Sequence, residues 1–179
     1  MNIGFDLDGI FVDTPPLIPK KVIEWLHRKK GPTLTYRIPG KLEQYIREVS
    51  HAGLLRPRIA ENILLLRNKT LKSNHTYTLI SGRFGFLKRE TACILMRYGI
   101  RDLFDYQFFN YANEQPHLFK NSIIKEQRVH RYVDDDLPLI EFLAAKHRHI
   151  RFFWFNKKEK RVRGKNIIAI TSLSEVFKK

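Results

Sequence analysis

Cysteine is nearly absent from this chain: Cys93 is the single one among 179 residues. One thiol can form neither an internal disulfide nor a Cys-x-x-Cys metal site, and such sparing use fits a reducing compartment. Cys93 falls in an apolar helical pattern, which predicts a place in the core. Long hydrophobic runs are missing as well. No window approaches the roughly 20 apolar residues that a membrane helix needs, so no membrane partner is expected. The opening residues lack a basic segment followed by an apolar stretch, and the expectation is a cytoplasmic protein. Acidic residues are few, 18 against 33 Lys and Arg, for a formal charge of +15. A field of that sign concentrates phosphate-bearing ligands without saying which, and a merely solvated surface would carry the same charge. Asn68 and Asn74 match the glycosylation acceptor pattern, but without a secretory signal both are read as chance.

What is present describes an ordinary globular domain, 43% hydrophobic and 28% charged, long enough to close a proper core. The residues from Asn2 to Leu7 read as a buried strand ending in a glycine-containing turn. Three prolines between Pro15 and Pro19 stop it. Helical spacing follows over Lys20 to Lys30, closed by Gly31 and Pro32, and then over Gly40 to His51 and Pro57 to Leu71. No strand pattern stands out between about 20 and 72, so this block reads as a helical insertion. Beyond it, strands and helices alternate. Strands are expected over 76–80, 106–109, 130–133, 150–155 and 167–170. Helices are expected over 86–98, 118–126 and 137–146, with a short closing helix capped by Ser172 and Glu175. Repeated βα units imply a mostly parallel sheet covered on both faces.

Four places in this pattern bring polar groups together. Asp6 and Asp8 end the first strand, and residues i and i+2 of a strand leave on one face, so both carboxylates enter one volume. Ser81 follows the second strand, Lys120 opens a later helix, and Asp134, Asp135 and Asp136 follow another strand. Each alone has a plain structural reading, as a turn residue, a helix cap or a surface charge. Capping a helix at Leu137, however, needs one aspartate, and there are three.

In this order and spacing the four elements resemble the signature of the haloacid dehalogenase superfamily of phosphohydrolases. The stretch from Phe5 to Asp13 resembles its first motif, Leu79-Ile80-Ser81-Gly82-Arg83 its second, Lys120 its third, and Tyr132-Val133-Asp134-Asp135 its fourth. The likeness runs from Ile3 to about Leu143. It implies an α/β, Rossmann-like three-layer sandwich formed by residues 1–15 and 73–179, with residues 16–72 as a small helical cap of the nucleotidase-like kind. It also implies that Asp6 attacks phosphorus to form an aspartyl phosphate, while Asp8 protonates the leaving alcohol and then activates water. Mg2+ would be held by the Asp6 carboxylate, the Asp8 backbone carbonyl and Asp135, hard oxygen ligands that suit that ion. Asp134 would stand behind them, turned toward Lys120. Ser81 and the Gly82 N–H would bind phosphoryl oxygens, and Lys120 would offset charge between phosphate and Asp6.

The sequence departs from the family pattern at Ile10, where many members carry threonine. Lys125 competes with Lys120 for the third motif, but Lys120 opens its helix and is preferred. Asp136 is assigned to helix capping, and Asp13 is not expected to touch substrate.

The insertion mixes cations with aromatics at Tyr36, Arg37, Lys41, Tyr45, Arg47, Arg56 and Arg58. Such a mix can hold a base or sugar and further phosphates. The preferred reading is an ordinary solvated helix surface. A second cation-rich stretch, 156–165, lacks interleaved aromatics and any nucleic-acid recognition motif.

The expected activity is Mg2+-dependent hydrolysis of a small phosphorylated metabolite, a nucleotide or sugar phosphate. Action on nucleic acid ends, motivated by the +15 charge, is the less favoured alternative. A non-catalytic anion-binding module is a third reading, against which the retention of both Asp6 and Asp8 argues. Transfer to an acceptor other than water would use the same residues. Nothing in the sequence speaks to oligomeric state.

Overall fold

The computed structural model describes residues 1–15, 34–51, 55–156, 162 and 164–178. The helix expected over Lys20 to Lys30, its Gly31-Pro32 stop, and most of the basic stretch 156–165 lie outside the described residues.

Six strands form one parallel sheet: β1 (Asn2–Phe5), β2 (Thr76–Ser81), β3 (Tyr106–Phe109), β4 (Arg131–Asp134), β5 (Arg151–Phe155) and β6 (Ile167–Ile170). Their spatial order is β3-β2-β1-β4-β5-β6, and every neighbouring pair is parallel. The order reverses at β1, whose neighbours are β2 and β4. In a doubly wound sheet the crevice beyond the strand ends opens at such a reversal, because successive crossovers leave toward opposite sides there. The acids expected to do chemistry follow β1 and β4.

Side-chain alternation sorts the apolar residues into two cores. Ile3, Phe5, Leu79, Val133, Phe153 and Ile170 point to one face and Ile80, Tyr132, Phe152, Trp154 and Ile167 to the other. Helices α2 (Ala60–Thr70) and α3 (Lys88–Arg97) cover the first face with Ile63, Leu66, Ile94 and Leu95. Helices α4 (Pro116–Glu126) and α5 (Leu137–Lys146) cover the second. The result is the expected three-layer α/β sandwich, Rossmann-like, with a sheet that is parallel throughout.

Several expectations shift. Pro57 lies outside α2, and its carbonyl instead accepts the Asp13 N–H at 2.8 Å while Ile59 donates to the Phe11 carbonyl at 2.9 Å. The segment 57–59 thus pairs with the loop after β1, and the helix starts three residues later than its apolar spacing suggested. Although read as part of the inserted block, α2 packs within the first core, and Asn62 donates to the Ile10 carbonyl at 2.6 Å. Cys93 is not a core residue: Thr91, Ile94 and Leu95 take the inner face of α3, leaving the thiol exposed. The terminal helix is a 3₁₀ turn, Leu173–Phe177, with the expected Ser172 and Glu175 capping box. No helix among the described residues is long and apolar enough to cross a membrane.

Candidate functional site

The loop leaving β1 is folded back tightly. Phe11 and Val12 both donate to the Leu7 carbonyl, and Gly9 donates to the Val12 carbonyl at 2.8 Å. Gly9 adopts φ +73°, and a Cβ there would lie 2.2 Å from the Asp135 carboxylate, so only glycine lets the β1 and β4 loops approach this closely. The approach builds an acidic cluster. Carboxylate oxygens of Asp6, Asp134 and Asp135 come within 4.8 Å of one another.

Lys120 is the cation inside it. Its ammonium, almost fully buried, lies 2.9 Å from Asp6 Oδ1 and 2.8 Å from Asp134 Oδ2. The Tyr132 hydroxyl also donates to Asp134 Oδ2, and the Asp136 N–H donates to Asp134 Oδ1, each at 3.0 Å. Asp134 is thereby saturated, whereas Asp6 Oδ1 is met by Lys120 alone among the described residues. Burial pushes the Asp6 carboxyl up to about 7, with Lys120 opposing and Asp134 and Asp8 adding to the rise. Burial works against the Lys120 charge, yet Asp134 and Asp6 hold its ammonium well above the usual lysine range. Lys125, the competing lysine, is exposed.

Asp8 belongs to a second group. Arg83 grips both of its oxygens, Nη2 to Oδ1 at 2.7 Å and Nε to Oδ2 at 2.8 Å, and Arg56 Nη1 reaches Oδ1 at 2.8 Å. Burial would raise this carboxyl, but Arg83 and then Arg56 outweigh it and hold the group well below the usual carboxylate range. The adjacent aspartates of one motif are therefore driven in opposite directions by their surroundings.

Both groups line one cavity of about 220 Å³, together with Gly82, Thr14, Tyr36, Arg37, Arg47 and His51. Ser81, expected to bind phosphate, ends β2 fully buried beneath the cavity wall. Its Oγ accepts the Arg83 N–H at 3.4 Å, while Gly82 reaches the surface of the cavity. At Gly82 a Cβ would meet Pro116 at 3.2 Å and Lys120 at 3.5 Å. Asp136 caps α5, accepting from Leu139 N at 3.3 Å, and its other oxygen accepts from the Tyr36 hydroxyl at 2.7 Å.

The cations of the insertion do not form one solvated surface. Helix α1 (Lys41–His51) rests on the 3₁₀ turn Gly85–Leu87 and on α3, and it turns Arg47 and His51 inward. Tyr36, Arg47 and Arg56 are buried at the cavity, with Arg37 at its margin, whereas Lys41, Tyr45 and Arg58 face solvent. Two residues were missed by the sequence reading. Arg83 had a signal, a guanidinium two residues beyond a strand-end serine. His51 had a weaker one, its i+4 spacing from Arg47 on a helix. Burial, then Arg56 and Arg83, hold the His51 imidazole well below its usual value.

Compared with known proteins, no family model matches this chain, and no curated protein matches it by sequence. Solved structures do match. A haloacid dehalogenase-like family hydrolase from Streptococcus pneumoniae superimposes with a TM-score of 0.61 at 13% identity, over 98% of this chain and 95% of that one. An archaeal beta-phosphoglucomutase from a hyperthermophilic Pyrococcus gives 0.59 at 13% identity, over 97% and 93%. A chain of the Pnkp1/Rnl/Hen1 RNA repair complex gives 0.56 at 14% identity, over 86% of this chain. This chain spans only 42% of that one's length. By sheet order, by the layers around it and by these superpositions, the chain has the haloacid dehalogenase-like fold.

Proposed function

We propose that the protein is a Mg2+-dependent phosphomonoester hydrolase that works through an aspartyl phosphate on Asp6. The carrying observation is the buried Asp6 carboxyl, set beside Lys120 in a cavity that it shares with Asp8 and with acids at the end of β4. The donor set fits a hard divalent cation: three carboxylates within 4.8 Å, closed over a glycine that admits nothing larger. Asp6 and Asp135 would hold it with the Asp8 carbonyl, Asp134 being engaged by Lys120 and Tyr132. Bound there, Mg2+ would neutralise charge on the phosphoryl oxygens.

The remaining work falls to protein groups. An Asp6 oxygen attacks phosphorus as the ester oxygen leaves, and Asp8 supplies the proton to that oxygen. Water then attacks the aspartyl phosphate, Asp8 takes a proton from it, and Asp6 is released as carboxylate with free phosphate. The arginine grip keeps Asp8 in the ionised form that the second step requires. Proton donation in the first step requires that one of those contacts loosen. Lys120 orients Asp6 and offsets charge as the phosphoryl group arrives. The Gly82 N–H, at the cavity surface, would bind a phosphoryl oxygen, and the Ser81 hydroxyl beside it accepts from Arg83 N. Tyr36, Arg37, Arg47, His51 and Arg56 of the inserted block act as the cap, closing the cavity from their side and excluding water.

The test is turnover of nucleotides, sugar phosphates and end-phosphorylated oligonucleotides, with Mg2+ or with EDTA. Asp6→Asn should abolish turnover, and Asp8→Asn should lower it by about 10²- to 10⁴-fold. Activity that survives Asp6→Asn removes the aspartyl phosphate. No turnover of any class favours a non-catalytic anion-binding module. A nucleic acid end as substrate draws its support from the +15 charge. The fold likeness to a chain of an RNA repair complex adds to it.

A further inference from the structure

Helix α1 is built inside out. Leu42, Tyr45, Ile46 and Val49, spaced i, i+3, i+4 and i+7, face solvent at 50% exposure or more, while Arg47 and His51 are buried on the cavity side. A helix ordinarily buries the apolar stripe, and burying a cation is costly unless an anion meets it. Glu43 meets Arg47 at 2.8 Å and Arg37 at 3.1 Å. Beside Asp8 the balance is different. One carboxylate serves two guanidinium groups, and Arg83 already occupies both of its oxygens.

Arg56 makes one bond to Asp8 through Nη1, while its Nε is shielded from the cavity and has no acceptor among the described residues. The residue is only 6% exposed and lines the cavity. Its backbone is held on both sides: the Tyr98 hydroxyl donates to the Arg56 carbonyl at 2.5 Å, and Pro57 pairs with Asp13. Arg47, Arg56 and Arg83 line the cavity around the single Asp8 carboxylate, and an anion there would balance the charge that Asp8 leaves unmet.

We propose that Arg56, with Arg83 and the Arg47–His51 face of α1 around it, forms a second anion subsite, so that the substrate is a phosphomonoester bearing a further phosphate group beside the ester. This rests on the reading of Asp6 as nucleophile and names its substrate class. A cavity of about 220 Å³ is small for a ligand site, which calls for a short span between the two groups. The second phosphate comes either from a bisphosphorylated metabolite or from the phosphodiester adjoining a nucleic acid end. Both present the same oxygens to guanidinium donors.

Calorimetric binding to the Asp6→Asn protein tests the subsite without turnover. Two matched pairs serve as probes: ribose 5-phosphate against ribose 1,5-bisphosphate, and a nucleoside 3′-phosphate against a 3′-phosphorylated dinucleotide. The second phosphate should tighten binding by about 10- to 100-fold in at least one pair. The pair that shows the larger gain identifies the source. Adding Arg56→Gln should abolish the gain, and Arg56→Lys should restore part of it. No gain in either pair while Arg56 is intact overturns the subsite, and that comparison involves no Arg56 variant that could misfold. Wild-type turnover of the same four compounds reads the other proposal separately. Turnover with no gain in either pair removes the subsite and keeps the hydrolase; a gain in binding with no turnover does the reverse.

Discussion

Asp6 and Asp8 are two residues apart and share a cavity, yet they are opposite electrostatic objects. Desolvation, Asp134 and Asp8 push Asp6 up to about 7, while two arginines keep Asp8 ionised. The folded value of Asp6 lies above the ordinary 3.8, so the metal-free folded protein holds a proton that the unfolded chain releases. The stability contributed by this group therefore falls as pH rises from about 4 through 7. A cation that needs Asp6 as carboxylate competes with that proton. Apparent Mg2+ affinity should drop by about 10-fold per pH unit below 7. The stabilisation given by saturating Mg2+ in thermal unfolding should correspondingly be larger at pH 8 than at pH 5.5. An Mg2+ effect independent of pH would mean that Asp6 is not a ligand. Gly9→Ala is the second prediction at this scale. The αL backbone alone costs about 1–2 kcal/mol, and the new methyl would displace the Asp135 carboxylate. Urea midpoints should fall accordingly, and Mg2+ should no longer protect as it does the native chain.

Among the elements, α1 departs furthest from the usual pattern. Its apolar stripe contributes nothing to the core, so Leu42→Gln and Ile46→Gln should change unfolding free energy by no more than about 0.5 kcal/mol. Helix α2 is the opposite case. Asn62→Leu there removes a buried donor from the Ile10 carbonyl and should cost about 1–3 kcal/mol by urea denaturation. The contrast bears on what could be read without coordinates. Apolar spacing located both helices because hydrophobic periodicity follows from helix geometry alone. It assigned both to one inserted block, since it reports that a stripe exists and not whether anything covers it. The same gap explains Cys93, whose apolar neighbours are real but occupy the other side of α3.

For the whole molecule, the notable feature is an acid-lined pocket inside a chain of net charge +15. Mean charge governs the approach of an anion; the local cluster governs what happens to it on arrival. If the substrate is a small phosphate ester, kcat/KM should depend weakly on salt between about 50 and 200 mM. An oligonucleotide substrate would lose several orders of magnitude over the same range as counterions return to its backbone. Strand periodicity and crossover rules were enough to read the alternating βα order, the parallel sheet and the placement of Asp6 and Asp134 at strand ends, whereas the meeting of Lys120 with Asp6, Asp134 and Asp135 was implied by the resemblance of their motifs. That Arg83 and Arg56 clamp Asp8, that Ser81 is buried outside the cavity lining, and that Arg47 and His51 turn inward came from long-range packing. Those outcomes depend on contacts between segments tens of residues apart and on how much water each charge loses on folding. Neither quantity is encoded in local spacing.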